Sequence, residues 1–254
     1  MGKIKYLIFA FLFLTLNLFA ETKKVYFYTT ESNINDFKSL KINFDEYLSH
    51  FGNYEFQAFN KKNTFESYLR DDNIVVILSS WHYSQIAQKY NLKAKLVALK
   101  KDTITDTKVI VGRKNSPYDG TLTTAFSKDY TKELISKLVQ NNKLNVLNVP
   151  KEIDALMSVG FGMSKFALVS KDSFELLKKV NPFLAEQMVI YKESTPSFRM
   201  ILASKMKEKF NKQIVEIFTN MNNQEIGRKI LSMLKIDDIV VLTKSDLALL
   251  RGEK

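Results

Sequence analysis

Five consecutive apolar residues, Ile74-Val75-Val76-Ile77-Leu78, stand without a polar interruption between Asn73 and Ser79. A strand with one wet face alternates polar and apolar residues. An unbroken β-branched run belongs in a sheet covered by helices on both faces. The flanking sequence supplies such helices. Val25 to Thr30 reads as a strand of β-branched and aromatic residues ending in hydroxyls, and Phe37, Leu40, Ile42, Phe44, Tyr47, Leu48 and Phe51 then recur near helical spacing until Gly52. Residues 54–59 alternate as a second strand, 63–69 form a short helix, and a further helix carries Ile86, Ala87 and Tyr90. Residues 96–99 and 109–111 read as strands.

Gly112 to Gly120, with Asn115, Pro117 and Asp119, is the clearest turn and linker signal in the chain. Beyond it the pattern restarts. Strands are expected at 122–126, 145–149, 166–169, 189–191 and 199–203, and helices at 130–139, 151–159 and 174–180. Gly160 and Gly162 end one helix and Asn181-Pro182 another. The last fifty residues read as mostly helical. Strand and helix units on both sides of one linker imply two α/β lobes.

The N-terminus carries Lys3 and Lys5, an apolar run from Tyr6 to Leu16, and Ala20 before Glu21. This is the pattern of a secretory signal, expected to be cleaved so that the mature chain begins near Glu21. An uncleaved anchor is the alternative, since the run could nearly span a bilayer. There is no cysteine, so disulfides, thiolate metal sites, cysteine nucleophiles and a lipidated terminus are excluded. Export without disulfides points to a bacterial periplasm. Lys plus Arg number 38 against 27 Asp plus Glu, a net +11; removing Lys3 and Lys5 leaves 36 against 27, a net +9. No run of five basic residues occurs and the expected compartment holds no nucleic acid, so nucleic acid is not the expected partner.

There is no Walker loop, no complete G-x-G-x-x-G after a strand, no H-E-x-x-H and no G-x-S-x-G. Gly160-Phe161-Gly162 reads as a helix cap. His50 and His82 are too few for the usual three-ligand zinc site unless carboxylates complete it, and His50 reads as a surface or cap residue. No cofactor, metal or enzymatic activity is expected; an exported enzyme using His82 with a nearby carboxylate is the weaker alternative.

What remains is a set of hydroxyls where strands give way to helices or turns: Thr29 and Thr30 beside Tyr28, Ser79 and Ser80, Thr123 and Thr124, Ser170, and Ser194 and Thr195. In open α/β sheets ligands bind at that edge, where helix N-termini offer free N–H groups to anions. Each hydroxyl taken alone reads as a helix cap, and it is their recurrence after strands in both lobes that carries the ligand reading. The stretch from Ser79 through Trp81, His82 and Tyr83 is the densest cluster and reads as pocket wall or as packing. Arg199 beside Ser194 and Thr195 offers a fork for a carboxylate or phosphate, or a surface ion pair.

The order of elements resembles the exported solute-binding proteins of ABC transporters, of the phosphate, phosphite and phosphonate-binding type. Four stretches carry the resemblance: residues 74–90, with Val75 to Tyr83 ahead of a helix ending at Lys89-Tyr90; residues 95–114, with Val109-Ile110-Val111-Gly112-Arg113; residues 151–170, with Phe166 to Ser170; and residues 224–239, with Ile226-Gly227-Arg228-Lys229-Ile230-Leu231. The resemblance implies a type II periplasmic-binding-protein-like fold, each lobe a mostly parallel sheet flanked by helices, with a double crossover hinge. Lobe one would hold residues 21–111 plus 200–254, and lobe two 112–199. It implies a monomer that closes on a small anionic solute for an inner-membrane ABC permease or a membrane sensor. The loop from Ser79 to Tyr83 matches the family's ligand loop, and Thr29 and Thr30 its first loop. Two departures weigh against a phosphonate: Thr123 to Asp129 stands where the family has a Ser-rich, Gly-containing loop, and the first strand lacks the usual Gly and Pro after it. A sensory or scaffold subunit that has lost the pocket is the alternative.

Overall fold

The computed structural model describes residues 22–31, 36–139, 144–205 and 208–252. The expected signal segment, with its junction at Ala20 and Glu21, lies outside the described residues. Among the described residues no helix is long and apolar enough to cross a membrane.

The chain runs β1 (Lys23–Phe27), α1 (Phe37–Ser49), β2 (Tyr54–Ala58), α2 (Lys62–Tyr68), β3 (Ile74–Leu78), α3 (Ser80–Ile86), β4 (Lys93–Leu99), β5 (Thr105–Asp106) and β6 (Lys108–Arg113). It continues as β7 (Thr121–Thr124), α4 (Lys128–Leu138), β8 (Asn145–Asn148), α5 (Glu152–Gly160), β9 (Phe166–Ser170), α6 (Lys171–Val180), α7 (Pro182–Ala185), β10 (Met188–Glu193), β11 (Ser197–Phe198) and β12 (Ile201–Lys205). It closes with α8 (Glu208–Thr219), a 3-10 turn (Met221–Asn223), α9 (Glu225–Leu234), β13 (Asp238–Val241) and α10 (Lys244–Leu250).

Two larger sheets form, in the orders β13-β4-β12-β3-β1-β2 and β10-β6-β9-β7-β8. Each contains a parallel trio, β2-β1-β3 in the first and β8-β7-β9 in the second. Beside each trio lies an antiparallel strand that has crossed from the other half, β12 against β3 and β6 against β9. Between the sheets β5 and β11 pair as a short ladder, Thr105 with Phe198 and Asp106 with Ser197. The chain therefore crosses twice, and each sheet with its flanking helices forms one lobe of a two-lobed α/β fold.

Burial follows the period-2 geometry of strands. All five residues of β3 are buried: Val75 and Ile77 pack with Phe44, Leu48 and Phe218 on one face, and Ile74, Val76 and Leu78 with Phe65 and Ile86 on the other. Each such side chain contributes roughly 1.5–3 kcal/mol when fully buried. The second sheet repeats the arrangement. Val109, Val111, Ala167 and Val169 face α5 and α6, while Ile110, Leu122, Phe166 and Leu168 face α4.

Three expectations shift. Residues 108–111 pair in the second sheet, and Gly112, expected to open a linker, continues that strand. It is glycine for a packing reason, because the Phe166 ring lies 2.3 Å from where a Cβ would sit. The last fifty residues contain β13, antiparallel to β4. Its apolar run Ile239-Val240-Val241 is too short to stand out from the helical stripes around it. The strand expected at 199–203 begins at Ile201, which leaves Arg199 in the crossover.

Gly227 lies in α9, where a Cβ would meet the Met221 carbonyl oxygen at 2.1 Å. Because backbone cannot give way as a side chain tip can, Gly227→Ala is expected to cost about 2 kcal/mol or more. Urea unfolding checks this; a change inside about 0.5 kcal/mol, the range of a neutral surface substitution, would contradict the packing described.

Candidate functional site

The C-terminal ends of β1 and β3 in one lobe and of β9 in the other open on the same gap. Serine caps the helix that follows two of these strands. The Ser79 hydroxyl accepts from the His82 N–H at 3.3 Å at the start of α3, and the Ser170 hydroxyl from the Ser173 N–H at 3.2 Å at the start of α6. The capping role expected of each hydroxyl alone is thus met at both positions, and both serines also line the cleft between the lobes. That cleft has a volume of about 380 Å³, and its walls include Thr29, Glu31, Lys108, Glu152, Asp172 and Arg199. Lys100, Lys101, Lys151 and Lys235 add further positive charge.

A chain of ion pairs runs through it from lobe to lobe. Lys108, only 3% exposed at the start of β6, places Nζ 2.8 Å from Glu31 Oε2 and 2.6 Å from Asp106 Oδ2. Burial opposes its charge, but Glu31 and Asp106 overcome that penalty and hold the ammonium well above the usual lysine range. The Arg199 guanidinium lies 3.9 Å from Asp106 and 3.1 Å from Asp172 Oδ2. Lys101 lies 2.8 Å and Lys100 3.7 Å from Asp172. Burial pushes the Asp172 carboxyl up, but the Lys101 hydrogen bond and the charges of Lys100 and Arg199 outweigh it and leave the group below its usual range. Tyr130, near Lys108, is driven up chiefly by burial and then by Glu31, so its phenol stays protonated.

The sequence-expected site residues separate into groups. Thr29, Ser79, Ser170 and Arg199 line the cleft. Tyr28 and Thr30, with Thr29 again, line a second cavity of about 150 Å³ between the lobes, together with Phe59, Phe126 and Asn148. Thr30 also shares a hydroxyl contact of 2.7 Å with Ser79, and its carbonyl accepts the Ser127 N–H at 2.8 Å. Trp81 is neither free pocket wall nor plain core. Its Nε1 donates to Glu133 Oε2 at 2.9 Å and its ring meets Tyr130 at 5.3 Å, so it bridges the lobes.

The rest sit elsewhere. The Ser80 hydroxyl donates to the Phe198 carbonyl. His82 is fully buried beside Phe65 and Tyr28, its Nε2 3.1 Å from Glu66. Tyr83 donates to the Leu92 carbonyl and accepts the Ala94 N–H. Thr123 and Thr124 are buried in β7, where the Thr124 hydroxyl donates to the Leu168 carbonyl. The Ser194 hydroxyl accepts the Lys108 N–H, and Thr195 is exposed beyond it. Arg199 spends its Nε and one terminal nitrogen on Thr103 and Asp172, so it braces the crossover. His50 caps α1 at its C-terminal end.

Sequence reasoning missed Glu31, Lys108, Glu152 and Asp172. Glu31 follows Thr29 and Thr30 directly, so the signal at the end of β1 extended one residue further than it was read. Among the described residues no group of three or more histidines and carboxylates could hold a metal ion.

No protein-family model and no characterised protein sequence matches the chain. Solved structures do. A binding protein component of an ABC phosphonate transporter from Pseudomonas aeruginosa matches with a TM-score of 0.63 at 13% identity, over 92% of this chain and 86% of that one. PhnD1 from Prochlorococcus marinus, in complex with methylphosphonate, matches at 0.64 and 12% identity over 92% and 97%. XAC2383 from Xanthomonas citri, bound to chloride, matches at 0.66 and 12% identity over 91% and 96%. At such identities the likeness is one of fold, and the fold is the type II periplasmic-binding-protein fold.

Two outcomes follow from the geometry. Lys108→Met removes the ammonium between Glu31 and Asp106, leaving Asp106 only the more distant Arg199, and is expected to destabilise the fold by about 3–5 kcal/mol, measured by urea denaturation at neutral pH. His82 is held below its ordinary range by burial, against the opposing pull of Glu66. Once pH falls below about 6.5 the unfolded chain binds the histidine proton more readily than the folded one, so stability drops; above that value this contribution is complete. The urea midpoint should therefore fall between pH 7.5 and 5.8, and by less in His82→Gln. Equal falls would contradict the assignment.

Proposed function

We propose that this protein is an exported solute-binding protein that closes its two lobes on a small solute bearing an oxyanion and presents the closed form to an inner-membrane ABC permease. The observation that carries this reading is the cleft itself. It lies where the strand ends of both lobes meet, its volume suits a small molecule, and cations outnumber acids on its walls. Lys151 and Lys235 line it without an ion pair among the described residues. The phosphonate transport role of the Pseudomonas protein and the methylphosphonate held by the Prochlorococcus one support a ligand of this class. The N-terminal sequence pattern supports export and a periplasmic location. The moving units are the two sheets with their helices, divided at the β5–β11 ladder, and the protein acts as a monomer. His82 lies away from the cleft walls inside the first lobe's core, which supports binding rather than catalysis.

A second reading is favoured by one observation. Lys100, Lys101, Lys108 and Arg199 are already paired with the protein's own carboxylates, as in a sensory or scaffold subunit whose lobes are held together without a solute. Thermal shift with phosphate, phosphonates, sulfonates and small organic acids separates the two, since a ligand at a hundred times its Kd adds about 2.7 kcal/mol to the folded state. The sole tryptophan, Trp81, bonds across the lobes to Glu133, so binding that moves the lobes should change its fluorescence. A rise in Tm with a fluorescence change supports solute capture. No response by either measure, with unchanged X-ray scattering, selects the scaffold.

A further inference from the structure

We propose that the pole of the second lobe farthest from the cleft is a docking surface for an anionic lipid bilayer, whatever solute the cleft holds. The three most exposed large apolar side chains among the described residues are Phe183 at 76%, Met163 at 70% and Phe161 at 66%, and Val180 stands at 65%. They come from separate stretches of the chain, and the topology gathers them. α5 and α6 both begin at the cleft, where Glu152 and Ser173 line it, and run away from it. At 1.5 Å per residue the ten residues of α6 carry the chain about 15 Å from its start. Phe161 and Met163 follow the end of α5, Val180 ends α6, and Phe183 lies in α7 directly after it. The Leu184 side chain packs over Gly160, 2.4 Å from where a Cβ would sit, and so joins α7 to the end of α5.

Cations stand among these side chains. Arg113, at the far end of β6, donates from Nε to the Val159 carbonyl and from Nη2 to the Gly160 carbonyl, which places its charge beside Phe161 with no carboxylate partner among the described residues. Lys114 donates its N–H to the Gln187 carbonyl just beyond α7, and Lys179 precedes Val180. Both lysines are exposed, and neither has an ion pair among the described residues. Lys165 and Lys178 are matched by Asp119 and Glu175, which leaves Glu186 against three unmatched cations. Clustered apolar exposure marks a contact surface, and its charge selects the occupant. A second copy would bring the same cations face to face. At an anionic bilayer the apolar tips enter the boundary between headgroups and acyl chains while lysine and arginine meet the phosphates. Contact at this pole leaves the cleft, at the other end of α5 and α6, open to solute.

Co-sedimentation with sucrose-loaded vesicles tests this on the unmodified protein. Vesicles of phosphatidylglycerol and phosphatidylcholine in equal parts should bind it about tenfold or more tightly than phosphatidylcholine alone at low salt, and added salt should shrink that preference. Phe161→Ser combined with Phe183→Ser should weaken binding to the anionic vesicles by about tenfold or more, with the urea midpoint unchanged because both side chains lie outside the core. Lys114→Gln combined with Lys179→Gln should remove most of the preference for anionic lipid. Leu249→Ser removes an equally exposed side chain, at 65%, from the first lobe and should leave binding as it was. No binding, equal binding to both kinds of vesicle, or anionic binding that survives the paired phenylalanine substitutions overturns the inference. So does a loss in Leu249→Ser as large as theirs. A dimer in sedimentation velocity that the phenylalanine substitutions dissociate, without vesicle binding, assigns the pole to a second copy and overturns it too. The solute-binding reading stands or falls separately, on the thermal-shift screen.

Discussion

The arrangement of the lobes depends on one buried charge. Lys108 enters the second sheet directly after the crossover, almost without solvent access, and is neutralised from two directions at once: by Asp106 in the crossover and by Glu31 in the first lobe. Removing such a group from water is tolerable only with close, well-made partners. The loop after β1, the first crossover and the second sheet must therefore sit together for the charge to be met. Arg199 on the second crossover extends the same chain to Asp172 on α6, and Lys100 and Lys101 add the first lobe's side of that contact. Both crossovers and both lobes are thus linked through one set of ion pairs, at the level where a ligand would lie.

Around that chain the two lobes are built alike. Each has a parallel trio with an inserted antiparallel strand from the other half, and each trio is covered by helices on both faces. The insertion is what makes the crossover double. It also brings strand ends and helix starts of both lobes to a common gap, the place where α/β sheets present unpaired backbone N–H groups. Direct bonds from Trp81 to Glu133 and from the Ser127 N–H to the Thr30 carbonyl hold the lobes against each other away from the ion pairs.

Much of the fold was legible because its signals are local. The uninterrupted run of β3, the aromatic stripe of α1 and the proline after Asn181 each announce their elements through spacing or backbone restriction alone. The site was legible only in part. Thr29, Ser79, Ser170 and Arg199 line the cleft, yet His82, Tyr83, Thr123 and Thr124 are equally hydroxyl- or aromatic-bearing neighbours of strand ends and face the core instead. At the end of a strand, a shift of one residue turns a side chain from the gap to the interior, and spacing in the sequence does not set where that turn falls. The crossover was misplaced for a related reason. Gly112 looks like a breaker, but its missing side chain makes room for Phe166 on a neighbouring strand.

The sequence by itself determined the alternation of strands and helices, the two-lobed α/β architecture and the exclusion of thiol chemistry, because these follow from periodicity and from which atoms are present. Only the tertiary structure decided which charges meet. Glu31 and Lys108 are far apart in the chain and carry no local pattern, and in water each would be an unremarkable surface ion. The double crossover takes them out of water together, and in that low-dielectric gap their pairing ties the loop after β1 to the second sheet.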